Sequence, residues 1–359
     1  MRVAERRIAR LVIARGQVSK AEIESSLDYS HPTVVNAVGT LVAQGVVRES
    51  GEFDSTGGRR AKAISPNPSF RYFGGVDVTR NHVTFVLLDW AGTVVASERR
   101  RRPFSATPVA LRGIGAEFRT FASVNGVSVS SVGVSLPAIL SHDRLRLVRS
   151  HALELADLDL SLVASGFGGL AVVFENDANA AAEAELAGLS GDTVYLSLSN
   201  TVGGAFCRAG DIYLGDNRRA GEFGHMVLRP GGRRCYCGKR GCVDPYLSAL
   251  RLADRAGGLE TFFARLKSGD VAATKDWRDY VADLAIAVTN LRMAYDCDVM
   301  IGGYVGAFAA SHRAEIERGM AGMDIFESDF SFLRIARHGF ESSAIGAAIR
   351  LRDETVELL

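Results

Sequence analysis

His225, Cys235, Cys237 and Cys242 fall within the stretch HMVLRPGGRRCYCGKRGC. Their spacing, H-x9-C-x-C-x4-C, supplies one imidazole and three thiolates, the donor set of a closed tetrahedral zinc site. A catalytic zinc keeps one position open for water, so four protein ligands point to a structural ion. Gly238 and Gly241 supply the tight turns that bring three sulfurs together. Arg233, Arg234, Lys239 and Arg240 partly offset the charge of three thiolates. Reduced thiols in a loop are the alternative. The other two cysteines, Cys207 and Cys297, stand alone, so the chain shows no disulfide framework and a reducing cytoplasm is the expected compartment.

A second group is Glu175-Asn176-Asp177, which precedes the alanine-rich run ANAAAEAEL. The pattern is a strand ending in an acidic turn and a helix, which aims a carboxylate into a cleft beside the helix N-terminus. For Asp177 an N-cap role is the structural alternative, compatible with ligand binding. Glu222 and His225 lie three apart in GEFGH. If one ring nitrogen of His225 binds metal, the other faces the cleft.

These groups need a scaffold. The 359 residues are enough for two or three domains, each with its own core. The formal charge of +1 gives no global pull toward nucleic acid or membrane. Residues 1 to 66, however, carry ten Arg or Lys against seven Asp or Glu. A basic head on a near-neutral body hints at a nucleic-acid-binding module. The opening MRVAERRIARLV lacks the apolar core of a signal peptide. No apolar run approaches the roughly 20 residues of a membrane span, and no membrane partner is expected.

Ile8, Leu11 and Val12 predict a helix over 4–14, ended by Gly16. Ser19 and Glu22 form a capping box that opens a second helix. In DYSHPTVVNAVGTLVAQG, Ser30 is the expected N-cap, Val34, Val38, Leu41 and Val42 the buried stripe, and Gly45 the stop. Strand, turn and strand follow in VVRESGEFDSTGGRRAKAI. The order predicts a winged helix-turn-helix over 1–66 whose third helix enters a major groove. Ser30, His31, Thr33, Asn36 and Thr40 then offer polar side chains to bases or phosphates. Thr56, Gly57, Gly58, Arg59 and Arg60 form the wing tip, its glycines close to DNA and its arginines in a narrow A·T-rich minor groove. A protein-interaction winged helix is the other reading. Ser65-Pro66-Asn67-Pro68 is expected to be a linker without regular structure.

From residue 72, FGGVDVTRNHVTFVLLDWAGTVVASERR reads as three strands, followed by a helix, a buried strand, and the strand and helix of LAVVFENDANAAAEAELAG. TVYLSLSNTVGGAFCRAGDIYLG opens a second set of strands, YVADLAIAVTNLRMAYDCDVMIGGYVG a long helix into a strand, and ESSAIGAAIRLRDE a closing helix. Two successive meander-plus-helix units predict a duplicated α/β body with a cleft between lobes. The first lobe spans 67–185 and the second, with the metal site, 186–359, the closing helix returning to the first. The run Arg99 to Arg102 reads as the solvated end of a strand.

The order of these segments, with ENDANAAAEAE, GEFGH, CYCGKRGC and a winged helix ending in STGGRR, resembles the ROK family of bacterial sugar-responsive repressors and sugar kinases. The resemblance covers nearly the whole chain. It implies an actin-like ATPase (ribonuclease H-like) body, and the winged helix is a mark of the family's regulators. In the kinases the aspartate matching Asp177 is the general base for the sugar hydroxyl, and Asn176 would bind neighbouring hydroxyls. The family pattern also gives Glu222 and His225 to the sugar. Asp244 takes a further sugar-hydroxyl position where glutamate is usual, a reach shorter by about 1.5 Å, and Ala152 replaces an asparagine contact.

The phosphate loops depart from that resemblance. Asp77-Val78-Thr79-Arg80-Asn81-His82 keeps the aspartate, loses both glycines and puts Arg80 where phosphate should sit. Ser199-Asn200-Thr201-Val202-Gly203 keeps one glycine of three, and Gly302-Gly303-Tyr304 has tyrosine where glycine is usual. Such loops bind phosphate through closely approached N–H groups, which side chains obstruct, so productive ATP binding and enzyme activity are not expected. A carboxylate and an amide remain good partners for vicinal hydroxyls. The expectation is a zinc-containing homodimer or dimer of dimers that represses carbohydrate metabolism. It would bind an inverted-repeat DNA operator and a sugar or sugar-phosphate ligand, lobe angle setting the spacing of the heads. A sugar kinase with an appended DNA-binding head is the alternative. A constitutive DNA-binding protein with a dead pocket is a third.

Overall fold

Apolar residues at helical spacing fold the first segment into α1 (Val3–Arg15), and β1 (Val18–Ser19), α2 (Lys20–Leu27) and α3 (His31–Ala43) follow. An antiparallel pair, β2 (Val47–Glu52) and β3 (Lys62–Pro66), completes the head. The computed structural model describes residues 2–52, 62–186, 189, 191–323, 326 and 329–358. Thr56, Gly57, Gly58, Arg59 and Arg60 lie outside the described residues. The Ser19 hydroxyl accepts from the Glu22 amide, and the Glu22 carboxylate accepts from the Ser19 N–H at 2.6 Å, closing the capping box. Ile8, Val12, Ile23, Val34, Val38 and Leu41 are buried together. Val42 is not: it is 39% exposed in the last turn of α3, at the margin of the buried stripe, and Ala37 takes an inward position instead.

The expected linker is ordered. Ser65 and Pro66 complete β3, and Asn67 Nδ2 donates to the Gly45 carbonyl at 2.8 Å. Pro66 is tolerated because β1 reaches only Ala63 and Ile64, so the missing N–H faces no second strand. Pro68–Phe70 forms a 3-10 turn, and the Phe70 ring meets Trp90 edge-on at 4.9 Å. The apolar core of the head therefore runs on into Phe73, Val86, Trp90, Ile349 and Val356 of the body.

In the first lobe β4 (Tyr72–Val78), β5 (His82–Asp89) and β6 (Val94–Arg101) form an antiparallel meander. α4 (Pro108–Val124) leads to β7 (Ser131–Leu136), parallel to β4. β8 (Ile139–Leu140), β9 (Arg146–Ser150) and β10 (Leu155–Asp159) make a small side sheet, and α5 (Ser161–Ala164) leads to β11 (Ala171–Asn176), parallel to β7. At the end of β6, Arg100 pairs with Glu98 and Arg102 with Glu117, while Arg99 and Arg101 are exposed, so two of the four arginines are paired with carboxylates.

α6 (Asp177–Leu186) crosses to the second lobe, where β12 (Thr193–Leu198), β13 (Val202–Arg208) and β14 (Asp211–Tyr213) repeat the meander. The cysteine segment, α7 (Asp244–Leu247), α8 (Leu250–Ala256), α9 (Leu259–Lys267) and α10 (Val271–Tyr295) precede β15 (Asp298–Gly302). α11 (Gly303–Ala309) and α12 (Arg313–Met320) lead to β16 (Leu333–Ile335). The sheets, β11-β7-β4-β5-β6 and β14-β13-β12-β15-β16, share one pattern: a meander extended by two parallel strands. The body is thus a duplicated mixed α/β fold. α13 (Ser342–Leu358) returns to the first lobe and packs on β4, β7 and α6. Among the described residues, no helix is long and apolar enough to cross a membrane.

Candidate functional site

The parallel strands β11 and β15 and the first strand of each meander, β4 and β12, deliver their carboxyl ends to the cleft, where sheets of this kind hold ligands. A cavity of about 420 Å³ opens between the lobes, within the roughly 300–1,000 Å³ typical of small-molecule sites. Asn176, Asp177, Glu222 and His225 all line it.

Asn176, not Asp177, caps α6. Its Oδ1 accepts from the amides of Ala178 at 3.0 Å and Asn179 at 3.1 Å, while Nδ2 donates to the Ala138 carbonyl at 3.1 Å. Asn176 is thus mainly committed to holding loop and helix together. Asp177 stands in the first helical turn with its carboxylate at the cavity. Burial, with a smaller push from Glu222, raises it to about 6, against the pull of the Ala178 amide.

Behind it, at the end of β4, Asp77 is buried and accepts from Ser135 Oγ at 2.5 Å. Burial raises it to about 7 and Asp177 adds to the rise, while Ser135 and Arg99 oppose it. A folded-state value above the unfolded one means the native protein holds the proton more tightly. The associated stability is present at low pH and is lost as pH rises toward 7. Asp77→Asn, which keeps an acceptor for Ser135 without the charge, is expected to raise the melting temperature at pH 8 by a few degrees and to flatten its decline above pH 5. Melts of both proteins across that range check this; parallel curves would contradict it.

The four candidate metal ligands lie together. The four ligand atoms of His225, Cys235, Cys237 and Cys242 lie within 4.8 Å of one another. Cys237 Sγ is 3.8 Å from Cys242 Sγ, and Cys235 Sγ is 3.9 Å from His225 Nδ1. A tetrahedral ion with bonds of about 2.3 Å to sulfur requires edges of just under about 4 Å, so the group fits such an ion. Nδ1 is the nitrogen turned to the sulfurs. Nε2 faces Tyr236 Oη at 3.5 Å and Glu222 Oε2 at 3.9 Å. Burial, with nearby Lys239 and His151, holds the imidazole below its ordinary value and favours the neutral ligand form. Gly241 has φ of 83° and a Cβ there would lie 1.9 Å from the Arg229 carbonyl, so the turn between Lys239 and Cys242 admits only glycine.

Asp244 departs from the expected hydroxyl contact. It is buried at the start of α7, does not line the cavity, and its Oδ2 accepts from the Val202 amide at 2.7 Å. Its short side chain secures the loop after β12. Ala152 does line the cavity. Arg80 does not occupy the cleft: it extends to Glu154 at 2.6 Å on the surface. Arg99, whose charge acts on Asp77, packs on two rings from the second lobe. The Arg99 guanidinium lies 4.2 Å from the Phe340 ring centre and 5.5 Å from that of Tyr304, and the two rings meet at 4.7 Å.

Sequence reasoning missed Glu175 as more than a turn residue. It lines the cavity wall, only 2% exposed, and three arginines surround it: Arg144 at 3.3 Å, Arg218 at 3.6 Å and Arg350 at 3.8 Å. Arg218 reaches it from the second lobe. Its adjacency to Asn176 and Asp177 is the one signal along the chain, because its partners are far away in sequence. In the head, Ser30 at the N-cap of α3 and His31, Thr33 and Asn36 in its first turns are exposed, with His31 Nδ1 on Glu24 Oε1 at 2.7 Å. The Thr40 hydroxyl turns back to the Asn36 carbonyl at 3.1 Å.

Residues 73–354 match the ROK family. The xylose repressor of Bacillus subtilis (strain 168) is 23% identical over 313 residues, covering 84% of this chain and 81% of the repressor. The N-acetylmannosamine kinase of Shigella flexneri is 29% identical over 296 residues, covering 76% of this chain and 99% of the kinase. Among solved structures, a ROK family transcriptional regulator described as a homologue of the E. coli MLC protein superposes with a TM-score of 0.76 at 18% identity, over 99% of this chain and 97% of its own. A ROK family glucokinase from Streptomyces griseus, in complex with glucose and AMPPNP, gives 0.65 at 21% identity, over 77% of this chain and 98% of its own.

Proposed function

The chain belongs to the ROK family, and from that membership we propose that it is a sugar-responsive, DNA-binding transcriptional regulator, a repressor of carbohydrate metabolism. One observation carries the reading: a three-helix head with a hairpin is joined through a shared core to a body whose cleft presents Asp177, Glu222 and His225. Repressor and kinase relatives share the body, and the kinase covers less of this chain than the repressor does.

The head is a winged helix-turn-helix. α3 offers Ser30, His31, Thr33 and Asn36 to the major groove, and Thr56, Gly57, Gly58, Arg59 and Arg60 of the wing take the minor groove. Two copies in a homodimer read the halves of an inverted repeat in the cytoplasm. The His225, Cys235, Cys237 and Cys242 site takes zinc in a structural role. When bound, the ion supplies no chemistry to the cleft beyond fixing the imidazole whose Nε2 faces it. Helix α13 supports coupling between the two ends. Ser343 near its start donates to the Asp177 backbone carbonyl at 3.0 Å, and Glu357 near its end pairs with Arg10 of α1. A sugar that shifts one end of this helix biases the head, provided it binds one lobe arrangement more tightly than the other.

The carboxylate of Asp177 at the cavity also suits a sugar kinase base. Against that reading stand the loops with side chains in place of glycines, and the packing of Arg99 on Tyr304, which stands in the third of those loops. No ATP turnover is expected with D-glucose, D-xylose or N-acetyl-D-mannosamine; product formation that depends on Asp177 would overturn the regulator-only reading.

Asp177→Asn is expected to abolish the sugar-dependent change in operator affinity while leaving sugar-free DNA binding within about twofold, since it lines the cavity of the body and not the head. Fluorescence anisotropy on operator DNA, with and without each sugar, measures both. A normal sugar response in the variant would remove Asp177 from the site.

A further inference from the structure

Tyr236 sits between two metal ligands, Cys235 and Cys237, yet its ring is 46% exposed and lines the cavity instead of packing in the second lobe's core. Its ring centre is 5.3 Å from that of His225 and 5.3 Å from that of His151. His151 follows β9 in the first lobe, so this ring contact bridges the cleft at its rim. No phenyl or indole ring, and no phenol besides Tyr236, lines the cavity among the described residues. The rest of the lining is aliphatic, as at Ile139, Leu140 and Val148, or polar and charged, as at Asn176, Asn179 and Thr201.

We propose that Tyr236 and His151 form a two-ring rim that closes over the apolar C–H face of a cyclic sugar, with the metal knot holding Tyr236 at the required height. This rests on the sugar-binding reading above. A pyranose carries its hydroxyls around the edge and presents C–H groups on its faces. Asp177, Glu222 and His225 Nε2 can take the edge, and a ring face needs an apolar partner. Tyr236 suits that task because the backbone on both sides of it is pinned. Cys235 N–H donates to the Lys239 carbonyl at 2.9 Å, and Gly238 N–H donates to the Cys235 carbonyl at 3.0 Å. A ring held in advance loses little freedom on binding. His151 comes from the other lobe, so the rim spans the cleft in the lobe arrangement seen here, and ring stacking on the sugar favours that arrangement. An open-chain polyol with the same hydroxyls offers no such face and must also be ordered.

The experiment is calorimetric titration of the zinc-loaded full chain with D-xylose and with xylitol, its acyclic counterpart. The wild type is expected to prefer xylose. Tyr236→Ala and His151→Ala are each expected to weaken xylose binding about five- to tenfold and to narrow the preference over xylitol. Zinc content should stay at the wild-type level, and Tyr236→Phe should bind as wild type does. His151→Ala lies outside the metal segment and carries the test alone if Tyr236→Ala fails to fold. Unchanged xylose affinity in the alanine variants would overturn the rim, as would a wild type that binds xylitol as tightly as xylose. If the wild type binds none of xylose, D-glucose and N-acetyl-D-mannosamine, the sugar-binding reading itself falls and the rim with it.

Discussion

Cys242→Ala is expected to empty the metal site and lower the melting temperature by about 10 °C, the equivalent of about 3–5 kcal/mol for a domain of this size. Cys242 is fully buried, and its sulfur lies 3.8 Å from that of Cys237. The segment from His225 to Cys242 has little apolar core of its own. It is held by turns and by isolated bridges between Val227 and Cys242 and between Arg234 and Arg240. Free energy of metal binding in such a segment is free energy of folding, because the unfolded chain presents no preformed site. The damage should spread in two directions. Val243, Tyr246 and Leu247 follow at once and belong to the second lobe's core. His225, Glu222 and Tyr236 lose the anchor that fixes them at the cavity. Elemental analysis and thermal melts check the prediction, with Cys207→Ala as a control, since Cys207 is buried but outside the ligand group. A Cys242→Ala protein that retained full metal content would refute the assignment.

The second large effect is expected from one methyl group. A Cβ at Gly346 would lie 1.6 Å from the Ala180 carbonyl oxygen and 3.0 Å from the Ala184 amide nitrogen. Backbone meets backbone there, so no side chain can swing aside. α13 cannot retreat either, because a Cβ at Gly75 or Gly133 would lie only 1.9 Å from the Ala344 carbonyl oxygen or 2.2 Å from that of Ala347. The helix is seated between α6 and the sheet with no slack on either side. Gly346→Ala should therefore cost about 3–5 kcal/mol, against the usual gain of about 1 kcal/mol for replacing glycine by alanine within a helix. Gly39→Ala in α3 is the matched control. Its Cβ meets nothing within 4 Å, so that variant should melt at or slightly above the wild-type temperature. A Gly346→Ala protein melting within a degree of wild type would show that α13 can shift, and would weaken its role in linking Asp177 to the head.

Much of this molecule is local and legible along the chain. The capping box of Ser19 and Glu22 forms because both partners sit within one turn. The cysteine cluster assembles because its spacing and glycines suffice to fold a short loop that brings four donor groups together. The two meanders follow from apolar runs broken by short turns, and their repetition shows the duplicated body. Local patterns mislead where the deciding partner is remote. Val42 has the composition of a core residue, but the end of α3 leaves it outside the packed face. The prolines around Asn67 look like a linker, yet Gly45 and Trp90 hold them in order. Asn176 and Asp177 are neighbours, and only the contact with Ala138 decides which of them caps α6 and which faces the cavity. Asp244 has the right chemistry for a sugar hydroxyl, but the Val202 amide, 42 positions away, takes its carboxylate.

The donor sets, the periodicities and the order of elements depend on spacing along the chain and are legible in it. Which atom faces which across the cleft depends instead on how the lobes pack. Glu175 meets Arg218, Arg99 meets Phe340, and His151 meets Tyr236 because two separately folded sheets are brought together with α6 and α13 between them. Burial then raises Asp77 and Asp177 well above ordinary carboxylates. Side-chain type sets what a residue can do, and the packing of the lobes sets its partner.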